Sequence, residues 1–275
     1  MASVVSVVIP VFNGVAHLPA TIDAVLAQDI ANLEVVLSDG GSTDGSLEYL
    51  RGITDPRVRL IEQPVGTSAA DNWTASCASA TGVMIKLVCQ DDVLGPSVLA
   101  RQVEQLQQNP AAVMAVGRRD IIDARGRVLY RGRGGMGLPT GLVAGQQALR
   151  ACYRYGTNVL GEPFAVLFRA SALQAALPWR DDIPLLLDLD LYARVLSTGD
   201  VYVDDASAGS FRVSSQSWST RLARAHVEQY ESWQRDYASQ YQPNAGDRIQ
   251  ARVNLHRQAL LRRAAYIAAR ARHSW

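Results

Sequence analysis

The stretch that decides the fold of this 275-residue chain is Val83-Met84-Ile85-Lys86-Leu87-Val88-Cys89-Gln90-Asp91-Asp92. Its first seven residues are mostly apolar, which is typical of a strand buried inside a parallel sheet. Asp91 and Asp92 follow at the carboxyl end of that strand, the edge at which open α/β sheets bind ligands. Adjacent carboxylates repel each other, so this edge is a candidate site for a divalent cation that also holds a phosphate. An acidic pair before a helix can instead act as a cap and dipole partner.

Strands and helices alternate along the first hundred residues. The sequence predicts strands at 3–9, 33–37, 58–61 and 83–89, and helices at 18–28, 46–51 and 68–80. This alternation predicts a doubly wound, mostly parallel sheet flanked by helices. Later segments predict a helix at 96–108, a strand at 111–117, a hairpin around 123–126, a mobile loop at 131–145, a helix at 188–197, and helices from 219 onward. We therefore expect two halves of one domain, 1–95 and 96–218, and a helical C-terminal extension, 219–275.

The composition excludes several classes of protein. A hydrophobic content of 48% allows a sizeable core, and a net charge of +1 argues against general nucleic-acid binding. The sequence contains no run of about 18 apolar residues, so it predicts no membrane-spanning helix. The first residues lack a basic segment and a cleavage site, so we expect a cytoplasmic protein. The three cysteines, Cys77, Cys89 and Cys152, lack metal-ligand spacing and are expected to be buried reduced thiols.

A polar, glycine-bearing loop at 38–46 follows the second predicted strand. Its glycines would let a ligand approach the backbone amides closely. Asp39 is placed to accept hydrogen bonds from a nucleobase or a ribose, whereas Asp44 is expected to cap the following helix. The spacing of the glycines fits neither a dinucleotide fingerprint nor a P-loop, which argues against an NAD enzyme or a P-loop ATPase.

A third acidic segment, 188–191, opens a predicted helix. Asp190 and Arg194 are four residues apart, so they are expected to form a pair on the helix surface. Asp188 lies at or near the first turn, where a side chain either satisfies backbone amides or faces a cleft. Asp188 is therefore the better candidate for a general base.

Together these segments resemble family 2 glycosyltransferases, which have the GT-A fold. The resemblance covers roughly residues 4–218, and five motifs recur in the expected order. The first is Val5-Ser6-Val7-Val8-Ile9-Pro10-Val11-Phe12-Asn13, followed by Asp39-Gly40-Gly41-Ser42-Thr43-Asp44-Gly45, by Asn72-Trp73 with Gln90-Asp91-Asp92-Val93-Leu94, by Gly161-Glu162-Pro163 with Asp188-Leu189-Asp190-Leu191, and by Phe211-Arg212-Val213.

The resemblance implies a metal-dependent, inverting transfer of a sugar from a nucleoside-diphosphate sugar to an acceptor hydroxyl. Asp92 would bind Mn²⁺ or Mg²⁺, Asp188 would be the general base, and Glu162 and Arg212 are candidates for acceptor binding. The acceptor would be a saccharide or a lipid-linked saccharide, in bacterial surface polysaccharide or glycoconjugate synthesis. The candidates for donor binding are Pro10, Val11, Asn13, Asp39, Asn72 and Asp91.

The chain departs from the family pattern at three positions. Gly40 replaces a frequent second aspartate, and Leu187 precedes Asp188 where the family often has an acidic residue. Ser214 stands where a histidine is often found that assists the metal or the phosphates.

Two rival hypotheses for the function stay open. One is a non-catalytic nucleotide-sugar-binding or scaffold protein, which the loss of that histidine favours. The other is a sugar-nucleotide nucleotidyltransferase, which would need a basic, glycine-rich phosphate loop that residues 10–14 lack.

The C-terminal extension has the pattern of a basic amphipathic helix. Its apolar positions are Ile249, Val253, Leu260, Ala264, Ile267 and Ala271, and its arginines are Arg248, Arg252, Arg262, Arg263 and Arg270. Two interpretations stay open. The apolar stripe packs on the protein or on a second copy, as in a homodimer, or it contacts the inner face of the cell membrane peripherally.

Overall fold

The computed structural model describes residues 5–214 and 226–271, with the side chains of residue 226 and of residues 262–271 left out. The strands are β1 (Val5–Val11), β2 (Leu33–Asp39), β3 (Val58–Glu62), β4 (Met84–Leu87), β5 (Val93–Leu94), β6 (Ala112–Ile122), β7 (Val128–Arg133), β8 (Gly141–Val143), β9 (Val166–Arg169) and β10 (Asp200–Arg212). The helices are α1 (Leu18–Leu26), α2 (Ser46–Arg51), α3 (Ala69–Ala78), α4 (Val98–Gln108), α5 (Gly145–Tyr155), α6 (Ala170–Ala176), α7 (Leu187–Leu196), α8 (His226–Tyr241) and α9 (Ala245–Ala271), with a 3₁₀ turn at Pro163–Ala165.

The strands form one sheet in the order β3-β2-β1-β4-β9-β6-β10-β5, with β7 beside β6 and β8 beside β10. Strands β3, β2, β1 and β4 are parallel, and so are β6 and β10. Strand β9 runs antiparallel between β4 and β6. Most strands therefore end at the same edge of the sheet, which confirms the predicted GT-A-type α/β class.

Helices cover both faces of the sheet. All seven residues of β1 are buried, and they alternate between two clusters. Val7 and Ile9 pack with α1 and α4, whereas Val8 packs with the cluster that contains α3, α5 and α7. A strand buried on both faces has no polar side, which explains the continuous apolar run in its sequence.

The second half of the chain differs more from the sequence prediction. The predicted strand at 111–117 and the first arm of the hairpin form one long strand, β6, and the hairpin to β7 closes with Ile122 opposite Val128. The segment expected to be a mobile loop, 131–145, contains the end of β7 and all of β8, and Leu142 pairs with Tyr202 of β10. The proposed boundary at residue 95 stays a prediction, because the sheet includes strands from both sides of it.

The C-terminal helices pack against α5 through a face that the sequence did not predict. Ala251 and Leu255 of α9 are buried, whereas Ile249, Val253 and Leu260 are 61–67% exposed. Leu255 fits because α5 ends at Gly156, where a Cβ would lie 2.8 Å from the Leu255 Cα. The expectation that the apolar stripe packs on the protein is therefore wrong for these three residues. The side chains of Ala264, Ile267 and Ala271 lie outside the described residues.

Candidate active site

The predicted site residues converge on the carboxyl edge of the sheet. Asp39 ends β2, Asp91 and Asp92 follow β4, Arg212 ends β10, and Asp188 lies in the first turn of α7. Strand order explains the convergence, since β2, β1 and β4 are neighbours and β10 pairs with the short strand that follows Asp92. The edge thus collects carboxylates from segments far apart in sequence.

Asp39 is a buried carboxylate with one unused oxygen. Its Oδ2 accepts the backbone N–H groups of Gly41 and Ser42, both at 2.9 Å. Its Oδ1 is buried and accepts no hydrogen bond from any described residue. A buried acceptor without a partner is costly, and a ligand N–H or O–H group placed here would supply one. The geometry therefore suits the donor contact predicted for Asp39.

The end of β1 is connected to this loop by Asn13 and Asn72. Asn13 has a positive φ of 52°, and its Oδ1 accepts the Thr43 N–H at 2.8 Å. Asn72 is buried, and its amide donates to the carbonyl oxygens of Val11 and Ser38 at 3.2 and 3.1 Å. Its Oδ1 also accepts the Ser38 hydroxyl. Because every polar side-chain atom of Asn72 has a partner in the protein, its position supports a structural role, and the donor contact predicted for it stays a hypothesis. Pro10, also buried, lies in the strand itself.

Asp92 is fully buried and lacks full compensation for its charge. Its Oδ1 accepts the backbone N–H of Arg212 at 3.2 Å, and its Oδ2 accepts no hydrogen bond from the described residues. Burial raises the pKa of Asp92 well above its usual range, and the charge of neighbouring Asp91 adds to the shift. Burial likewise raises the pKa of Asp91. This carboxylate edge would be most stable with a cation beside it.

The donor set fits a cation that takes most of its ligands from elsewhere. Within residues 5–214 and 226–271, no group of three or more His, Cys, Asp or Glu side chains is arranged to hold a metal ion. Mg²⁺ and similar ions are often bound by one or two carboxylates together with substrate phosphates. The free Oδ2 of Asp92, with Asp91 next to it, matches that mode of binding.

Arg212 fixes the position of this acidic loop. Its Nε donates to the Asp91 carbonyl at 3.1 Å, and its Nη1 donates to the carbonyls of Asp123 and Ala124 at 3.2 and 3.3 Å. The residue is 7% exposed. Because the guanidinium is buried among backbone carbonyls, its position supports a structural role, and the acceptor contact predicted for it stays a hypothesis.

The Asp188 carboxylate accepts hydrogen bonds through both of its oxygens and has a raised pKa. Its Oδ2 accepts the Asn158 amide at 2.7 Å, and its Oδ1 accepts the Leu189 N–H at 2.7 Å. Burial raises the pKa of Asp188 to about 6, helped by the charge of Glu162 and opposed by these hydrogen bonds and by Arg119. Asp190, in contrast, pairs with Arg194 at 2.7 Å, as the sequence predicted. The two aspartates of this motif thus have different surroundings.

Glu162 connects the two acidic centres. Burial is the main cause of the raised pKa of both Asp92 and Asp188, and the charge of Glu162 contributes to both shifts. Glu162 forms an ion pair with Arg119 of β6. Arg169 of β9 has other partners, since it donates to the backbone carbonyls of Ala112, Leu106 and Asn109. Three carboxylates and one arginine therefore share one site.

Several residues that support the site were not among those predicted from the sequence. Asn158 holds its own loop as well as Asp188, since its Oδ1 accepts the Leu160 N–H at 2.9 Å. Lys86, the chain's only lysine, is fully buried and donates to the carbonyls of Phe164 and Val166 at 2.6 and 2.9 Å. These carbonyls lie just after Glu162. The burial of a lone lysine inside an apolar strand was the one available clue.

The fold and this acidic edge agree with the class that the sequence motifs predict, a GT-A-type glycosyltransferase. The chain belongs to glycosyl transferase family 2, whose family model matches residues 6–175. This finding confirms the family and the class of enzyme that the sequence motifs predicted.

Curated relatives match less than half of this chain. Glycosyltransferase GlyG of Streptococcus pneumoniae is 31% identical over 116 residues, which are 42% of this chain and 38% of that protein. Succinoglycan biosynthesis protein ExoO of Rhizobium meliloti is 32% identical over 125 residues, 46% of this chain and 36% of that protein. The chain thus spans less than half the length of these relatives.

Solved structures share the fold at low sequence identity. Staphylococcus aureus TarS 1–349 in complex with UDP-GlcNAc superimposes with a TM-score of 0.64 at 13% identity, covering 82% of this chain and 66% of that one. Mannosyltransferase PcManGT from Pyrobaculum calidifontis, in complex with GDP-Man and Mn²⁺, gives a TM-score of 0.62 at 18% identity, covering 98% and 76%. No helix among the described residues is long and apolar enough to cross a membrane.

Proposed function

We propose that this chain transfers a sugar, with inversion and with the help of a divalent cation, from a nucleoside-diphosphate sugar to an acceptor hydroxyl. One observation carries the proposal. Asp39 and Asp92 each have a buried oxygen with no partner among the described residues, while Asp188 nearby has a pKa raised to about 6. Asp39 and Asp92 can thus each accept a bond from a ligand, and Asp188 is ionised enough near neutral pH to act as a base.

The residues divide the chemistry between them. Asp39 binds the base or ribose of the donor, and Asp92 with Asp91 would hold Mn²⁺ or Mg²⁺. When bound, that cation stabilises the negative charge of the leaving diphosphate. Asp188 takes the proton of the acceptor hydroxyl while the oxygen of that hydroxyl attacks the anomeric carbon of the donor sugar. The new C–O bond forms on the face opposite the departing diphosphate, which inverts the anomeric centre.

The biological setting is proposed from the names of similar proteins. Bacterial relatives include a succinoglycan biosynthesis protein and a chondroitin synthase, and the structural neighbours were solved with UDP-GlcNAc, UDP or GDP-Man. We infer that the acceptor is a saccharide or a lipid-linked saccharide of a bacterial surface polysaccharide or glycoconjugate.

Calorimetric titration with UDP, dTDP and GDP, with and without Mn²⁺ or Mg²⁺, tests the proposal. We expect one nucleotide to bind in a metal-dependent manner and this binding to be lost in Asp92→Asn. Asp190→Asn is the matched control, because Asp190 is a nearly buried aspartate paired with Arg194 outside the acidic edge. If no nucleotide binds under any condition, or if both variants behave alike, the proposal is wrong.

The scaffold hypothesis predicts a different result. Ser214 replaces a histidine that could assist the phosphates, which favours a protein that binds the donor without turning it over. Normal nucleotide binding with no transfer and no donor hydrolysis would identify this case. A nucleotidyltransferase would instead bind a nucleoside triphosphate.

The exposed stripe of α9 supports a peripheral contact with the inner face of the membrane. Ile249, Val253 and Leu260 are exposed, and Arg252 and Arg257 flank them at helical spacing. Arginines beside an apolar stripe suit an anionic lipid surface. Flotation with anionic vesicles should recover the wild type and not Val253→Glu. A homodimer through this stripe is the alternative outcome, visible as a change in molecular mass in the same variant.

A further inference from the structure

A second concave site lies far from the acidic edge. A groove of about 550 Å³ opens between the start of α5, the end of α8 and the start of α9. The start of α5 lies beside the first residue of β10, since the Gly145 N–H donates to Asp200 Oδ1 at 3.3 Å. Arg212, at the other end of β10, lies at the acidic edge. At about 3.3 Å per residue, the two ends of β10 are roughly 30–40 Å apart. The groove is therefore separate from the transfer site.

One wall of the groove is an aromatic stack. The rings of Tyr237 and Tyr241 are 4.4 Å apart with an interplanar angle of 19°. Trp233 and Tyr153 stack on Tyr237 from α8 and α5, at 5.3 and 5.1 Å. Tyr241 is half-buried and, like Tyr237, lines the groove. A rigid aromatic wall is the surface against which the C–H face of a pyranose ring packs, with little loss of side-chain entropy.

Four of the uncharged polar side chains that line the groove have no hydrogen-bond partner among the described residues. Among the described residues, none hydrogen-bonds to the side-chain amides of Gln146 and Gln147 or to the hydroxyls of Tyr237 and Tyr241. The only charged lining residues, Arg150 and Asp247, form an ion pair at 2.9 Å. Asp247 also lies 3.4 Å from Arg154, so both guanidinium groups next to the groove already have an anionic partner. Amides and hydroxyls can both donate and accept, which matches the vicinal hydroxyls of a sugar. Since both arginines are already paired with Asp247, neither is left free to bind a nucleotide or another anion.

We propose that this groove is an auxiliary site for a neutral oligosaccharide, such as a distal segment of the saccharide on which the enzyme acts. Its volume lies within the range of small-ligand sites. The proposal rests on the proposed function, because a chain that extends a saccharide gains from holding the part already made. Binding at the groove raises the local concentration of the acceptor end at the transfer site.

Saturation-transfer NMR on the full chain tests the groove, with maltotetraose, cellotetraose and chitotetraose as probes, each with and without excess UDP and Mg²⁺. We expect at least one probe to bind whether or not nucleotide is present. Tyr241→Ala and Gln147→Ala should each weaken that binding by about tenfold, the effect of losing one good anchor. Ser239→Ala, an exposed position on another side of α8, is the matched control and should bind normally.

Three results would overturn the inference: no probe binds, nucleotide displaces the probe, or both groove variants bind like Ser239→Ala. Gln147 is exposed, so its variant tests the groove even if Tyr241→Ala fails to fold. Calorimetric measurement of nucleotide binding on the same samples distinguishes a failure of the auxiliary site from a failure of the proposed function. A protein that binds nucleotide and no saccharide at the groove refutes only the auxiliary site.

Discussion

Burial raises the pKa of the candidate base, Asp188, and the hydrogen bond from Asn158 opposes that shift. Replacing Asn158 with alanine tests this contribution directly. Its amide donates to Asp188 Oδ2 at 2.7 Å, a bond that favours the ionised carboxylate. Hydrogen bonds to charged groups contribute about 1.5–3 kcal/mol, and one pKa unit corresponds to about 1.4 kcal/mol. Losing the bond should therefore raise the pKa of Asp188 by about one to two units from its value of about 6.

The assay is a pH titration of the aspartate side-chain carboxyl carbons in ¹³C-labelled protein, with the Asp188 signal identified by its loss in Asp188→Asn. This measurement needs no knowledge of the donor or the acceptor. The matched control is Asn109→Ala, because the Asn109 amide donates at 2.8 Å to the backbone carbonyl of Gln105 and touches no carboxylate. In Asn109→Ala, the pH midpoint of the Asp188 carboxyl titration should equal that of the wild type.

The pH dependence of activity should follow the same midpoint. Only the ionised form of Asp188 accepts a proton, so the rate should rise as the pH passes through about 6 and level off above it. In Asn158→Ala the rising limb should move to higher pH together with the NMR midpoint. A wild-type midpoint near 4, or a midpoint that does not move in Asn158→Ala, would refute the reasoning.

Three further predictions concern stability and binding. Asp92→Asn should stabilise the metal-free protein by roughly 1–3 kcal/mol at pH 8. Since the folded-state pKa of Asp92 is raised, its ionisation costs stability as the pH rises through that pKa, so the gain seen in thermal melts should shrink toward pH 4. Lys86→Met should destabilise by about 2–4 kcal/mol in urea unfolding, because it leaves the buried carbonyls of Phe164 and Val166 without donors. Asp190→Asn should lower the melting temperature while nucleotide affinity changes less than about twofold, since its partners are structural arginines; a larger loss of affinity would place Asp190 in the binding site.

The first hundred residues were predictable because their apolar runs and turns repeat with a simple period. Helix α2 has the predicted bounds, and β2 and β3 differ from theirs by one or two residues. Strand β9 was not predictable, because its insertion between β4 and β6 is decided by long-range pairing. Strand β8 is only three residues long and lies in a glycine-rich segment, so its pairing with β10 leaves no pattern in the sequence.

The same contrast applies within the site. Sequence motifs identified Asp39, Asp92 and Asp188 as residues of one acidic edge. They gave no sign of Asn158 or Arg119, because neither lies in a patterned segment and both act through contacts with residues 30 or more positions away. Residue type and spacing predict which groups reach an edge, whereas hydrogen-bond partners depend on the folded loops.

Hydrogen-bond partners also separate the residues that act on a ligand from those that support them. Asn72 and Arg212 occur in the motifs, yet their donors are used by backbone carbonyls, so their loss should disturb loops first. Asp39 and Asp92 keep buried oxygens without protein partners, a cost that a folded protein tolerates where function needs it. Asp39→Asn and Asp92→Asn each keep one side-chain oxygen for the backbone N–H groups of the protein, so they should weaken binding without weakening the fold. That combination distinguishes a binding site from a structural acidic cluster, in which both properties would fall together.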